Sequence, residues 1–214
     1  MASASPCYYY SLIIVTQLLV ICVAQEKICP FEYVYQLGDS ISDTGHLICV
    51  GPIGAFAAAR LPYGETIFHR PTCRRSDGLL IIDFFAVALQ LPLLNPYLDR
   101  NALFDHGANF AVAGSTALDT SFLAAARGIQ PLVIDISLST QLKWFKTLLT
   151  STCPSPAECG LKLRRALIFM GEIGGDDFNY AFSQGKSIQE LQDLVPDVVG
   201  ANITNAVRVS LNCS

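Results

Sequence analysis

The sequence has few charged residues, and basic residues are fewer than acidic ones. Only 15% of its 214 residues are Asp, Glu, Lys or Arg, and the formal net charge is −4. No run of Lys or Arg forms the basic patch by which proteins bind nucleic acid, so we expect no nucleic-acid partner. A chain of this length can build one domain with a substantial core.

The sequence also lacks an apolar run of the roughly 20 residues that a helix needs to cross a bilayer. Its most apolar segment, residues 11–23, is shorter, and Ala24 follows it before the first charges. This pattern predicts a secretory signal peptide over residues 1–24 and an exported domain over residues 25–214, secreted or directed to the cell wall or vacuole. An uncleaved anchor remains the alternative, because no Lys or Arg precedes the apolar segment, and no stable membrane span is expected.

Cysteine usage is consistent with export. Cys153 and Cys159 close a short Pro-rich loop, and this spacing predicts a disulfide between them. Two sequons predict glycosylation at Asn202 and Asn212 if the protein is exported. The pairing of four further cysteines stays open: Cys29, Cys49, Cys73 and Cys213.

A Gly-Asp-Ser turn follows the first predicted strand of the domain. The apolar run Tyr33–Leu37 is typical of a short buried strand, and Gly38-Asp39-Ser40 breaks it. A sharp turn after a strand can expose a serine hydroxyl beside free backbone N–H groups, which suits nucleophilic catalysis. The triplet alone is more typical of an ordinary loop, because all three residues are common in turns.

Two more predicted strands end in Gly-rich turns, Asn109–Ala113 at Gly114 and Ala166–Met170 at Gly175. We interpret Ala166–Met170 as an interior strand. Because strands alternate with predicted helices, the pattern favours an α/β fold, a parallel sheet with helices on both faces. Parallel strands end at the same edge of a sheet, so we expect Ser40, Gly114 and Gly175 to lie together there.

The predicted helices differ in their apolar patterns. Leu79–Leu91 is apolar nearly all round and predicts a buried helix, capped by Ser76 or Asp77. The segment Leu132–Ile136 is ambiguous between strand and helix, and Ile188–Val199 is typical of a helix. A third helix, Gln141–Leu149, places Leu142, Phe145, Leu148 and Leu149 on one face. We expect Asp83 and Asp177 to be buried carboxylates bonded within the protein.

Several ordered motifs together resemble one known family. They are Gly38–Gly45 (GDSISDTG), Pro62–Glu65 (PYGE), Ser76–Gly78 with Ile81–Phe84, Gly107–Gly114 (GANFAVAG) and Gly171–Tyr180 (GEIGGDDFNY). The chain is similar, from Tyr33 to about Tyr180, to the plant GDSL esterase/lipase family of the SGNH hydrolases. It most resembles the branch that includes acetylajmalan and sinapine esterases.

The resemblance implies a fold and a chemistry. The fold is a three-layer α/β/α, flavodoxin-like parallel sheet. The resemblance implies that Ser40 is the nucleophile. It also implies an oxyanion hole formed by the N–H groups of Ser40 and Gly114 and by a side-chain amide at position 176. The implied reaction is hydrolysis of a small-molecule ester or lipid through an acyl-enzyme, with no metal and no cofactor. The resemblance leaves the oligomeric state open.

Three differences from the family pattern bear on activity. Position 176 is Asp where the family has Asn, and a carboxylate cannot donate a hydrogen bond to an oxyanion. His46 stands where relatives usually have Asn, and Leu79 where they usually have Arg. Family members supply the catalytic Asp and His as D-x-x-H near their C-terminus, and this chain stops at Ser214 before such a block, so we expect the last strand and closing helix of the sheet to be missing.

The three histidines of the chain offer no obvious replacement for that base. Asp43 and His46 match D-x-x-H, but they lie too close to Ser40 in sequence for good geometry. His69 and His106 are interpreted as loop residues. Two hypotheses follow: an esterase whose message continues into a D-x-x-H block, or a catalytically dead relative that retains the ester pocket.

Overall fold

A computed structural model describes residues 31–50 and 56–206, with side chains at all of these positions except 49, 50, 201 and 202. Within these residues, three parallel strands form one sheet in the order β2-β1-β3. The strands are β1 (Tyr33–Leu37), β2 (Gly107–Asn109) and β3 (Ala166–Met170). The predicted signal peptide lies outside the described residues.

Helices connect and cover the strands of this sheet. They are α1 (His46–Val50), α2 (Glu65–Phe68), α3 (Ile81–Ala88), α4 (Thr120–Arg127), α5 (Leu138–Thr152), α6 (Pro156–Arg164), α7 (Gly175–Ser183) and α8 (Leu194–Pro196). Two 3₁₀ turns lie at Ala57–Ala59 and Gln189–Leu191, and a π-helix spans Asp197–Ile203. The alternation of parallel strands with helices confirms the predicted α/β class.

The central strand β1 organises the layers. Tyr35 pairs with Ala108 of β2 and Ile168 of β3, and its ring meets Phe145 of α5 edge-on at 5.1 Å. Phe169 of β3 follows Ile168 and therefore projects from the opposite face, where its ring lies 4.7 Å from Phe85 of α3. Helices thus cover both faces of the sheet, as the three-layer expectation requires.

The prediction for Leu79–Leu91 is correct in placing a helix there but wrong in expecting that helix to be buried. The helix forms over the shorter span Ile81–Ala88, and Ile81, Phe84 and Val87 are 66%, 61% and 58% exposed. The opposite side of the helix, which carries Ile82 and Ala86, is buried. An apolar sequence does not reveal how many sides of the helix pack against the rest of the protein, and here only one side does.

The predicted cap of this helix is also wrong, because a later residue caps it. Asp83 accepts the Leu80 N–H at 2.9 Å and forms a two-bond ion pair with Arg74 at 2.8 and 3.1 Å. Ser76 instead accepts the N–H of Gly78, and Asp77 binds Thr66. The expectation that Asp83 is a satisfied buried carboxylate is confirmed.

Two strand predictions need correction. The strand β2 spans Gly107–Asn109, whereas the predicted strand was Asn109–Ala113. The Phe110 and Val112 N–H groups still donate to the carbonyl oxygens of Gln36 and Gly38. Among the described residues β3 pairs only with β1, and all five of its residues are half-buried. It is therefore an edge strand here, and the interior assignment is wrong.

The remaining predictions concern two segments and one disulfide. The segment Leu132–Ile136, which was ambiguous between strand and helix, forms neither. It leads directly into Ser137, which forms an isolated parallel bridge with Thr116. The Ile188–Val199 segment is helical but divided among 3₁₀, α and π turns. The disulfide between Cys153 and Cys159 is present, with the Cα atoms 5.2 Å apart.

Helix α5 confirms the predicted apolar face and adds a polar residue to it. Phe145, Leu148 and Leu149 are buried as expected, while Leu142 is half-buried. Gln141 is fully buried on the same face. Its amide accepts the Gly38 N–H at 2.9 Å and donates to the Gly38 carbonyl oxygen at 2.8 Å. The side chain thereby replaces a neighbouring strand where β1 ends.

We predict that Gln141→Leu lowers the free energy of unfolding by about 1–3 kcal/mol. The substitution leaves the buried Gly38 N–H without an acceptor, and an unsatisfied buried donor costs about 1–3 kcal/mol. Urea unfolding followed by circular dichroism measures the change. Gln130→Leu, at an exposed position, is the matched control and should stay within about 0.5 kcal/mol of the parent. Equal stability of the two variants would contradict this role.

Candidate active site

Ser40 lies in the turn directly after β1, at the carboxyl edge of the sheet. It is half-buried, and within the described residues its hydroxyl makes no hydrogen bond. Asp39 shapes the turn: its carboxylate accepts the Ile41 N–H at 3.1 Å and its carbonyl oxygen accepts the Ser42 N–H at 3.2 Å. Ser40 opens onto a cavity of about 340 Å³, here called the serine cleft, lined by Ser40, Ile41, Tyr63, Arg75, Ser76, Leu79, Leu80 and Ile81.

The turns that follow the three strands lie side by side, as the sequence predicted. Val112, before Gly114, donates its N–H to the Gly38 carbonyl oxygen at 3.2 Å. Asp39 donates its N–H to the Glu172 carbonyl oxygen at 3.0 Å. The first turn therefore contacts both of the others, and the carboxyl edge forms one continuous backbone surface.

The backbone N–H groups of Ser40 and Gly114 are two of the free donors on this surface. Around them, the N–H groups of Asp39, Ile41 and Ser42 are all bonded, as are those of Ala113 and Ser115. Among the described residues, those of Ser40 and Gly114 have no acceptor. Free N–H groups held by a fixed backbone are the donors that stabilise an oxyanion.

Gly114 occupies a backbone position that requires glycine. Its φ is +89°, in the left-handed region that other residues rarely adopt. A Cβ there would lie 2.8 Å from the Cβ of Val133 and 2.9 Å from the hydroxyl oxygen of Tyr180. That hydroxyl donates to the Gly114 carbonyl oxygen at 2.6 Å, which holds the peptide in place.

The buried carboxylate of Asp43 joins the first turn to the second. One oxygen accepts the N–H groups of Gly45 and His46 at 2.7 and 2.6 Å. The other accepts those of Leu47 and Ala113 at 3.1 and 2.8 Å. Asp43 thus starts helix α1 and fixes the segment that leads to Gly114.

Asn109 makes a second link between the same two segments. Its amide donates to the Ser42 carbonyl oxygen at 2.6 Å and accepts the Ala111 N–H at 2.8 Å. Sequence reasoning assigned no role to Asp43 as a backbone link, to Asn109 or to Gln141. The available signal was a polar residue inside an apolar pattern, such as Gln141 four residues before Phe145 on one helix face.

Asp177 binds backbone, as the sequence analysis expected. Its carboxylate accepts the Ala117 and Leu118 N–H groups at 2.7 and 3.0 Å. Burial raises the pKa of this carboxyl to about 6, and the same hydrogen bonds oppose the rise. Asp177 therefore fixes the segment after Gly114, and both of its oxygens bind backbone.

Asp176 lies in the first turn of α7, and its charge acts on Asp39 of the nucleophile turn. Burial raises the pKa of Asp39 to about 6, and the neighbouring charge of Asp176 adds to that rise. The Asp176 charge also raises the pKa of Tyr180, after burial as the main cause. Asn179 donates its amide to the Asp176 carboxylate at 3.2 Å. The charge at position 176 thus acts on both the turn of Ser40 and the hydroxyl that holds Gly114.

His46 is a structural residue, which agrees with the expectation that it is no base for Ser40. It is fully buried, its Nδ1 lies 2.9 Å from the Ala111 carbonyl oxygen, and its Nε2 accepts the Leu98 N–H at 3.2 Å. Its ring stacks on Trp144 with the centroids 5.9 Å apart. Burial lowers its pKa to about 4, although the charge of Asp43 acts in the opposite direction.

The other two histidines are exposed loop residues, as expected. His106 places its Nδ1 3.1 Å from the carbonyl oxygen of Glu32, which precedes β1, so it lies at the end of the sheet opposite Ser40. His69 lies at the end of α2. Within the described residues, no group of three or more His, Cys, Asp or Glu side chains is arranged to hold a metal ion.

Comparison with known proteins identifies the family. The profile of the GDSL-like lipase/acylhydrolase family matches residues 34–212. The chain belongs to this family. It is 57% identical over 182 residues to acetylajmalan esterase of Rauvolfia serpentina, covering 85% of this chain and 46% of that protein. It is 47% identical over 197 residues to a GDSL esterase/lipase of Arabidopsis thaliana, covering 91% of this chain and 48% of that protein.

This GDSL chain spans about half the length of the curated relatives it matches. The matched region includes the turn of Ser40 and the segments of Gly114 and Asp176. The described residues therefore contain the part of the family domain that carries the candidate nucleophile and its neighbouring N–H groups.

We predict that the His46 ring resonances stay unchanged in an NMR titration from pH 8 to pH 5.5. Burial holds the folded pKa near 4, below the ordinary value of 6.5. His46 therefore contributes stability that is complete above pH 6.5 and is lost as the pH falls toward 4. The same titration in urea is the control, where the ring should titrate near its ordinary pKa. A midpoint near 6.5 in the folded protein would show that the ring is solvated.

Proposed function

We propose that this chain is the nucleophile-bearing part of a GDSL serine esterase that hydrolyses carboxylic esters through an acyl-enzyme on Ser40. One observation carries the proposal: the Ser40 hydroxyl and the backbone N–H groups of Ser40 and Gly114 are free at the same edge of the sheet. The N–H groups that flank them in both turns are already bonded.

The proposed chemistry is two-step acyl transfer. The Ser40 oxygen attacks the ester carbonyl carbon and loses its proton to a general base, and the carbonyl oxygen becomes an oxyanion. The N–H groups of Ser40 and Gly114 donate to that oxyanion. The C–O bond then breaks, the alcohol leaves with a proton, and water hydrolyses the acyl-serine to release the acid.

The general base is proposed to lie outside the described residues. A base must approach the nucleophile to about 2.6–3.2 Å, and both ring nitrogens of His46 are engaged elsewhere. The resemblance implies a D-x-x-H block for this role. Sequencing the message downstream of the Ser214 codon tests the point, because the enzyme hypothesis requires an in-frame continuation into that block.

The competing hypothesis is a non-catalytic relative that keeps the ester pocket. The observation in its favour is Asp176, a carboxylate whose charge acts on the nucleophile turn from a position where the resemblance implies an amide donor. An in-frame stop after Ser214 in independent transcripts would support this hypothesis and remove the enzyme assignment for this product.

We further propose that the protein is secreted, with residues 1–24 as its signal peptide and residues 25–214 as the exported domain. The disulfide between Cys153 and Cys159 supports an oxidising compartment. In the part of the chain that the structure describes, no helix has the length and apolarity to cross a membrane. Glycosylation at Asn202 and Asn212 belongs to the same proposal; the Asn202 side chain and the whole of Asn212 lie outside the described residues.

We predict that Ser40→Ala abolishes covalent labelling by a fluorophosphonate probe in the protein expressed from the complete message. The probe phosphonylates an activated serine oxygen, and alanine has none. Ser42→Ala, two residues along the same turn, is the matched control and should retain labelling. Labelling is read by in-gel fluorescence and by mass spectrometry of the modified peptide. Equal labelling of the parent and Ser40→Ala would rule out Ser40 as the nucleophile.

We predict that Asp176→Asn raises kcat for a short p-nitrophenyl ester by at least about tenfold. One oxyanion donor is worth about 10²–10³ in rate, and the change also removes a carboxylate that opposes negative charge. The pKa of Asp39 should fall in the same variant, because Asp176 contributes to raising it. Asp193→Asn, at an exposed position, is the control. An unchanged kcat with a lowered Asp39 pKa would exclude position 176 from the oxyanion hole.

A further inference from the structure

Gly114 lies in a tight backbone turn whose geometry decides where its N–H points. The Ser115 N–H donates to the Val112 carbonyl oxygen at 3.0 Å, and this bond closes a turn around Ala113 and Gly114. The φ of Gly114 is +89°, whereas that of Ala113 is not positive. These signs distinguish a type II turn from the other common β-turns. The Gly114 N–H therefore belongs to the central peptide of a type II turn.

The central peptide of this turn has no hydrogen bond of its own. Among the described residues, neither the Ala113 carbonyl oxygen nor the Gly114 N–H has a partner. Rotation of a central peptide converts a type II turn into the commoner type I turn, which has a negative φ at the third residue. Glycine adopts either sign of φ readily. The rotation would turn the Gly114 N–H away and present the Ala113 carbonyl oxygen, an acceptor, in its place.

The two ends of the central peptide are held by buried side chains. Asp43 accepts the Ala113 N–H at 2.8 Å, and the Tyr180 hydroxyl donates to the Gly114 carbonyl oxygen at 2.6 Å. A Cβ on Gly114 would lie 2.9 Å from that hydroxyl oxygen and 2.8 Å from the Val133 Cβ, so both groups pack directly against the Gly114 Cα. The glycine is thus held at its Cα and at its carbonyl group.

The Tyr180 hydroxyl is kept in the protonated form that donates. Tyr180 is 3% exposed, and burial raises its pKa. The charge of Asp176, four residues earlier on α7, adds to the rise, while a hydrogen bond with the Val133 backbone opposes it. Only a protonated hydroxyl donates to a carbonyl oxygen, so the bond to Gly114 persists over the working range of pH.

We propose that Tyr180 is a positioning residue of the oxyanion hole, whose hydroxyl keeps Gly114 in the type II turn that directs its N–H at the oxyanion. This inference rests on the proposed acyl transfer at Ser40. Tyr180 touches no reacting atom and acts through the backbone of Gly114. Because the oxyanion forms only as the reaction proceeds, the hydroxyl contributes to the rate and not to the binding of the ester.

Tyr180→Phe tests this role, because it removes the hydroxyl and keeps the buried ring. In the protein expressed from the complete message, kcat for a short p-nitrophenyl ester should fall about tenfold, since a loosened donor costs less than the factor of about 10²–10³ for a lost one. KM should stay within about twofold. The matched control is Tyr35→Phe, which removes another fully buried hydroxyl, one without a hydrogen-bond partner in the described residues. Its kcat should equal that of the parent.

A second measurement follows Gly114 without catalysis. Relaxation dispersion of the backbone nitrogen, in protein labelled with ¹⁵N-glycine, detects exchange on the microsecond-to-millisecond timescale. We expect exchange at Gly114 in Tyr180→Phe and a flat profile in the parent and in Tyr35→Phe. A flat profile with parental kcat in Tyr180→Phe would overturn the proposal. So would an equal fall of kcat in both variants, or a loss of stability in Tyr180→Phe with kcat unchanged, which is the result of a purely structural role.

Failure of the proposed function gives a different result. If Ser40 is not the nucleophile, Ser40→Ala retains its labelling, and the dispersion profile of Gly114 still decides whether Tyr180 holds the turn. Exchange at Gly114 with parental kcat in Tyr180→Phe would overturn the positioning role, because the Gly114 N–H would then not serve the oxyanion.

Discussion

The carboxylate of Asp43 is the interaction on which the carboxyl edge of this sheet depends. Its two oxygens accept four backbone N–H groups, three from the start of α1 and one from Ala113. A buried carboxylate is costly unless its oxygens are fully hydrogen-bonded, and here they are bonded by two segments that lie far apart in sequence. The turn after β1 and the segment after β2 are consequently held in one arrangement.

Other buried polar side chains extend the same principle around the site. Gln141 binds both backbone groups of Gly38, Asn109 joins Ser42 to Ala111, and Asp177 holds the backbone at Ala117 and Leu118. Each side chain satisfies backbone groups that strand pairing leaves open. The N–H groups of Ser40 and Gly114 remain available to an oxyanion, while those of the residues that flank them are bonded. The site is thus preorganised by hydrogen bonds that never touch a substrate.

Sequence reasoning predicted the elements whose patterns depend on local chemistry. It located β1, β3 and α5, the disulfide, the meeting of three turns, and Asp83 and Asp177 as bonded carboxylates. It failed for α3, where an apolar pattern predicted burial and half of the helix surface is exposed. It also failed for the cap of that helix, because the helix begins later than predicted and Asp83 accepts the Leu80 N–H there.

The sequence by itself determined the parallel α/β class, the family and the identity of the candidate nucleophile, because each depends on ordered motifs and on the alternation of strands and helices. Only the tertiary structure decided which backbone donors are bonded, that both nitrogens of His46 are occupied, and that the charge of Asp176 acts on the turn of Ser40. These properties come from contacts between residues that can lie more than a hundred positions apart, such as Gly38 and Gln141. Periodicity and spacing describe neighbours along the chain, so they carry no information about which distant group completes a hydrogen bond.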